Sequence, residues 1–222
     1  WDTSSVTSMQ YTFKGGFNAD VSTWDTSKVV TMYEIFKQNN KFDGDLPWDT
    51  SSVTEFYGAF TYSTYNKPLN WDVSSAKNMA YMFKHSHFNQ DLNDWDFSSV
   101  TRLDHMFSYS KYNQPVDWNT QSCTKFSSVF YDSDFNQPIQ LDLSKAKTLN
   151  GMFAESKFNQ DIDWDVRSVT DFSNFLKNSE FNSANSKLKL QLGNPTRMYA
   201  MFQGSKYYGT EVQDWNVGTV TN

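Results

Sequence analysis

Residues Trp95 to Asp117 read WDFSSVTRLDHMFSYSKYNQPVD, and Trp118 begins the same phrase again. Apolar residues in this stretch fall at Trp95, Phe97, Val100, Leu103, Met106, Phe107, Tyr112 and Val116. The opening Trp-Asp-Phe alternates apolar, polar, apolar, the pattern of a half-buried strand in which Asp96 faces outward. Val100, Leu103, Met106 and Phe107 follow the three-and-four spacing of one helix face. Thr101 with Asp104 three residues on predicts a capping-box-like start for a short helix. Two turns of helix do not stand alone, so packing must hold them. The polar run from Ser108 to Pro115 then returns the chain to the next strand.

Outward from this stretch, the phrase recurs along all 222 residues at a period of 23 or 24. It starts near Trp1, Trp24, Trp48, Trp71, Trp95, Trp118, Leu141, Trp164, Leu190 and Trp215. A fixed period of this size is the signature of a solenoid, in which each unit buries its apolar face against its neighbours. The expected fold is therefore α/β: one right-handed solenoid of leucine-rich-repeat type with about nine coils, each with a short parallel strand and a short helix. Residues 1–222 read as one such domain, a segment of a longer chain. Stacking like positions creates aromatic files at roughly the ~4.8 Å interstrand spacing. One holds Trp24, Trp48, Trp71 and Trp95; a second holds Phe36, Phe60, Phe83 and Phe107; a third holds Phe42, Tyr65, Phe88, Tyr112 and Phe135. The files account for most of the 18% aromatic content, and each ring gains about 0.5–1.5 kcal/mol from its aromatic neighbours beyond burial.

Bulk composition narrows the function. The net charge is -6, with no basic block, which argues against nucleic-acid binding. No apolar run is long enough to span a membrane. The one cysteine, Cys123, allows no internal disulfide and occupies a position held by valine in other copies, so it reads as a small core residue. His85, His87 and His105 share no repeat position and read as exposed bystanders. No phosphate-binding glycine loop and no serine-histidine-acid order is present, and the chain is not expected to be an enzyme.

Three surface constellations remain. The first is a file of acids that includes Asp25, Asp49, Asp72 and Asp96, with Ser51, Ser74 and Ser98 beside them. Like charges about 5 Å apart repel by ~1 kcal/mol in water, so something must offset the repulsion. Asx-type bonds to backbone N–H groups two residues on would do so locally. A bound Ca²⁺ or a basic partner surface would also do so, although Asn119 and Gln191 interrupt the file. No cofactor is otherwise expected. The second is a column of asparagines with glutamines following, expected to satisfy turn backbone groups along the stack. Tyr109 and Tyr112 nearby offer the alternative of a glycan-binding strip. The third is the insertion at 183–189, where Leu188, Leu190 and Leu192 alternate as a strand and the preceding loop is a candidate contact site.

Trp95-Asp96-Phe97-Ser98-Ser99-Val100-Thr101, with Met106-Phe107 and then Phe158-Asn159-Gln160-Asp161-Ile162, resembles the BspA-like leucine-rich-repeat surface proteins, in the branch of mycoplasma-type surface lipoproteins. The resemblance covers the whole chain and implies a cell-surface or extracellular structural protein engaged in adhesion, protein binding or self-association into fibres. A carbohydrate-binding surface module is the alternative. The resemblance carries over no catalytic residue.

Overall fold

The computed structural model describes residues 1–221. Successive copies of the repeat lie on one another in register. A column of parallel bridges runs Ser8, Thr31, Glu55, Asn78, Arg102, Lys125, Thr148, Asp171 and Arg197, each residue paired with its equivalent in the next copy. The strand expected at the Trp-Asp phrase forms in the later copies alone. β1 (Val116–Trp118) pairs in parallel with β2 (Ile139–Leu141), and β3 (Ile162–Val166) with β4 (Leu188–Leu192). In earlier copies a threonine two residues after the tryptophan links neighbours instead: Thr26 Oγ1 donates to the Asp49 carbonyl and Thr50 Oγ1 to the Asp72 carbonyl, both at 2.8 Å.

The expected helix is absent. Among the described residues no α-helix forms, strands are few and short, and most of the backbone is turns and non-regular segments. The α/β leucine-rich-repeat architecture with a helix in every coil is therefore corrected to a stack of turn-built coils. The reason lies in where the N–H groups go. Leu103, His105, Phe107 and Tyr109 donate across to the carbonyls of Lys125, Ser127, Val129 and Tyr131, at 2.8 to 3.0 Å. The alternate residues Met106, Ser108 and Ser110 donate back three residues, to Leu103, His105 and Phe107. This chain of tight turns needs a left-handed residue at its first and last members, as a type II turn does at its third position. His105 (φ 55°) and Tyr109 (φ 58°) supply it here, and Tyr81 (62°) with His85 (53°) in the preceding coil. A two-turn helix would hold its bonds within a segment too short to be stable alone. The turn chain gives half of its donors to a neighbour that is already in place. Both arrangements turn Leu103, Met106 and Phe107 inward, so apolar spacing does not separate them.

The core is the set of aromatic files. Phe36, Phe60, Phe83, Phe107 and Phe130 follow one another at ring-centroid distances of 5.3, 5.5, 5.4 and 5.8 Å with near-parallel planes. Phe42 and Tyr65 (6.0 Å) and then Tyr112, Phe135 and Phe158 (6.4 and 5.9 Å) make the second file. Trp48 and Trp71 stack at 6.2 Å. Trp48, Trp71 and Trp95 are buried and Trp24 is half-buried. A buried indole usually finds an acceptor; Trp48, Trp71 and Trp95 donate to the carbonyls of Val21, Leu46 and Leu69 at 3.0 Å, whereas the N–H groups of Trp118 and Trp164 are buried without a partner.

Candidate functional site

The Trp-Asp phrase forms one outer wall of the stack. Asp25, Asp49, Asp72 and Asp96 are all exposed on it, with their serines half-buried alongside. Each carboxylate folds back on its own coil. Asp25 Oδ1 accepts from the backbone N–H of Ser27 (3.0 Å) and from its hydroxyl (2.7 Å); Asp49 Oδ1 accepts both from Ser51 (3.0 and 2.6 Å). The Ser74 and Ser98 N–H groups reach Asp72 and Asp96 at 2.9 Å. Asp165 departs from this pattern, since Arg167 holds its carboxylate in an ion pair. The expected Asx turn is thus present in each of these coils.

Those bonds favour the ionised acid. The serine hydroxyl first, then the serine N–H, hold the carboxyls of Asp25, Asp72, Asp96 and Asp142 below the usual carboxylate range. A depressed folded-state pKa contributes stability that is complete above the unfolded value of about 3.9 and is lost as pH falls through the folded one. Removing one hydroxyl should bring its aspartate part of the way back. In Ser27→Ala, the Asp25 carboxyl carbon followed by NMR should titrate at higher pH than in the parent, and an unmoved midpoint would show that the hydroxyl does nothing for the charge.

The asparagine column supplies the acceptors that a ladder of backbone N–H donors requires. The N–H groups of Asn89, Asn113, Asn136, Asn159 and Asn182 each donate to the side-chain carbonyl of the asparagine one coil back, at 2.7 to 2.9 Å. Gln90, Gln114 and Gln160 donate to the same asparagines. In the insertion Ser186 stands in for the glutamine, its hydroxyl reaching the Asn159 carbonyl at 2.8 Å. The extra residues are absorbed in this way, and β4 resumes in register with β3.

The tyrosines divide. Tyr112 lies in the interior, 0% exposed, with its ring 4.1 Å from that of Phe107, so the glycan strip built on Tyr109 and Tyr112 is corrected to Tyr109 alone. The Tyr112 hydroxyl is buried without a partner, and burial pushes its pKa up. An orphaned hydroxyl costs its desolvation, and phenylalanine occupies the same column at Phe88 and Phe135. Tyr112→Phe should therefore raise the unfolding free energy by about 1 kcal/mol, read by urea denaturation; a loss would mean that the hydroxyl has a partner in solution.

Tyr109 belongs instead to a surface file that the sequence reading missed. Tyr62, His85 and Tyr109 stack at 4.2 and 4.3 Å with planes within 9°, and Tyr131 closes the file edge-on at 69°. A parallel file runs Tyr33, Tyr57, Tyr81 and His105 at 4.8, 5.0 and 4.7 Å. Lys84 sits over both Tyr81 and Tyr109. Two histidines read as bystanders are thus half-buried members of these stacks. Burial, then Lys84, lowers the pKa of each. The Ser108 hydroxyl gives its proton to the Ser128 carbonyl, so its contact with His105 Nδ1 at 3.1 Å places the imidazole proton on Nδ1. Because the rings within a file cover one another's faces, they offer mainly edges and hydroxyls to solvent. The signal that could have revealed the files was positional: Tyr62, His85 and Tyr109 of one file and Tyr81 and His105 of the other are left-handed turn residues, and Tyr33, Tyr57 and Tyr131 each stand one residue before such a position.

Cys123 is buried, and burial pushes its thiol up to about 12, which leaves it inert. Among the described residues, no three or more His, Cys, Asp or Glu side chains are grouped so as to hold a metal ion, and no helix is long and apolar enough to cross a membrane.

Comparison with known proteins returns one family. No curated protein and no solved structure matches the chain. The family described as "Mycoplasma protein of unknown function, DUF285" matches repeatedly, over residues 1–86, 46–141, 112–192 and 133–222. The overlapping matches follow from the internal repeat, and the BspA-like label finds no support among them. With these matches reaching from its first residue to its last, the chain belongs to the DUF285 family of mycoplasma repeat proteins.

Proposed function

We propose that this chain is a non-enzymatic repeat element of a cell-surface or extracellular protein, with a structural and adhesive role, and that its Trp-Asp wall is the face that meets partner proteins. The observation that carries this reading is the Asp file. Asp25, Asp49, Asp72 and Asp96 stand one per coil, exposed and each bonded to the serine two residues on, and no salt bridge among the described residues joins them to a base. A repetitive array of this kind suits many weak contacts, whose strengths multiply through avidity. The serine bonds already orient the carboxylates, so the wall needs no bound Ca²⁺, and a chelator should leave the thermal midpoint unchanged. The carbohydrate reading is the weaker one, since Tyr112 is interior and Tyr109 spends a ring face on His85.

The test is adhesion of protein-coated beads to host-cell monolayers, compared with a variant carrying Asp49→Asn, Asp72→Asn and Asp96→Asn. The variant should keep its fold, as judged by an unchanged circular dichroism spectrum, and lose most of the adhesion. Equal adhesion by both, or none by either, would overturn the reading.

A further inference from the structure

The second wall, built by the turn chain, carries the opposite charge along part of its length. It begins at the bridge column, where Arg102 and Lys125 stand; Lys77 and Lys147 come one residue before that column in the coils on either side, so four successive coils each contribute a cation. Their backbones are locked side by side. Arg102 bridges to Lys125, the Thr101 N–H donates to the Lys77 carbonyl at 2.9 Å, and the Lys147 N–H donates to the Thr124 carbonyl at 3.0 Å. The three lysines are exposed, and among the described residues none of them makes a salt bridge; Arg102 pairs with Asp104. Acids bound the ridge at both ends, Glu55 in the coil before it and Asp171 in the coil after. Although the chain as a whole is acidic, this ridge is locally cationic.

We propose that the cationic ridge of one copy docks on the Asp file of a second copy, producing a side-by-side array. The chain itself supplies the occupant by charge complementarity. The ridge presents one cation per coil over four coils, and the Asp file presents one carboxylate per coil over the unbroken run Asp2, Asp25, Asp49, Asp72 and Asp96. Both combs ride on the same stacked coils and so share one pitch, which lets the three unpaired lysines each meet a carboxylate when two stacks lie parallel. A foreign polyanion has no reason to share that spacing. The ridge occupies the fourth to seventh copies and the unbroken acid run the first to fifth, so the two copies are offset by two or three coils. The two surfaces differ, which makes the contact heterologous and leaves a free ridge and a free file at either side of every pair. Growth then continues laterally. The contact is between exposed charges and must weaken with salt.

This inference deepens the reading of the Asp wall as a contact face, and rests on it for the acidic half alone. Sedimentation equilibrium on the protein decides it. At low ionic strength the weight-average mass should rise with concentration above the 25.8 kDa monomer and return to it in about 1 M salt, where the Debye length is only ~3 Å. Lys77→Glu with Lys125→Glu and Lys147→Glu should weaken the association at least about tenfold, the loss of 1.4 kcal/mol. A control with the same change in net charge, Lys14→Glu with Lys41→Glu and Lys177→Glu, should associate as the parent does. Thermal melts of both triples establish that they fold. A parent that stays monomeric at low salt, equal losses in the two triples, or capture of heparin by the ridge without self-association would each overturn the proposal. Self-association by a parent that shows no adhesion to host-cell monolayers would instead sink the functional reading alone.

Discussion

Phe107→Ala will lower the unfolding free energy by about 3–5 kcal/mol, the cost of emptying a fully buried aromatic site that cannot collapse. The ring is 0% exposed and lies within stacking distance of Phe83, Phe130, Tyr112 and Trp118, at 5.4, 5.8, 4.1 and 6.1 Å. It touches the coil before it, its own and the coil after it. The loss therefore falls on two interfaces between coils as well as on one coil. Because stability in a stack sums intrinsic and nearest-neighbour contributions, the transition should also broaden, as the two sides of the lesion uncouple. Urea denaturation followed by tryptophan fluorescence reads both effects. A loss below about 1 kcal/mol would mean that the spine is not the source of cohesion between coils.

Gly151→Val should destabilise by about 2–3 kcal/mol, through backbone strain at a φ that a β-branched residue scarcely adopts. Gly151 has φ 60°, and a Cβ built there would come 3.1 Å from the Ser128 hydroxyl oxygen. The companion Gly151→Ala separates the two architectures by sign. Within a helix the change would stabilise by up to ~1 kcal/mol, through helix propensity. At a left-handed turn residue it should cost about 1–2 kcal/mol. Chemical denaturation of the two variants beside the parent is sufficient, and a stabilised Gly151→Ala would restore the helix that the turn chain replaces.

The same position shows why the helix expectation failed. Left-handed turn residues usually announce themselves as glycine, but in this chain the two columns hold mostly tyrosine, histidine, glutamate and asparagine, with Gly58 and Gly151 in one and Gly15 and Gly204 in the other. Stacking of Tyr62, His85 and Tyr109 across coils helps to offset their strain, a compensation that depends on neighbours some 23 or 24 residues away. The Asx turn at Asp49 and Ser51 was legible because donor and acceptor lie two residues apart. The asparagine ladder was legible in kind, since a polar column at a fixed period must serve the backbone, but its direction was not. Tyr112 was misplaced for a different reason: its repeat position put it in an interior aromatic column, and its hydroxyl suggested the surface. Position was the better guide, because register in a stack decides burial for the whole column at once.

By itself, the sequence determined which side chains face inward, at what period they recur, and where one copy hands over to the next. These follow from burial, which each residue expresses separately through its own apolar surface, and which repetition makes plain. Only the tertiary structure decided the path of the backbone between those inward points. A helix and a chain of tight turns bury the same Leu103, Met106 and Phe107. What separates them is where the N–H groups of Leu103, His105, Phe107 and Tyr109 find their acceptors, and those acceptors belong to the neighbouring coil.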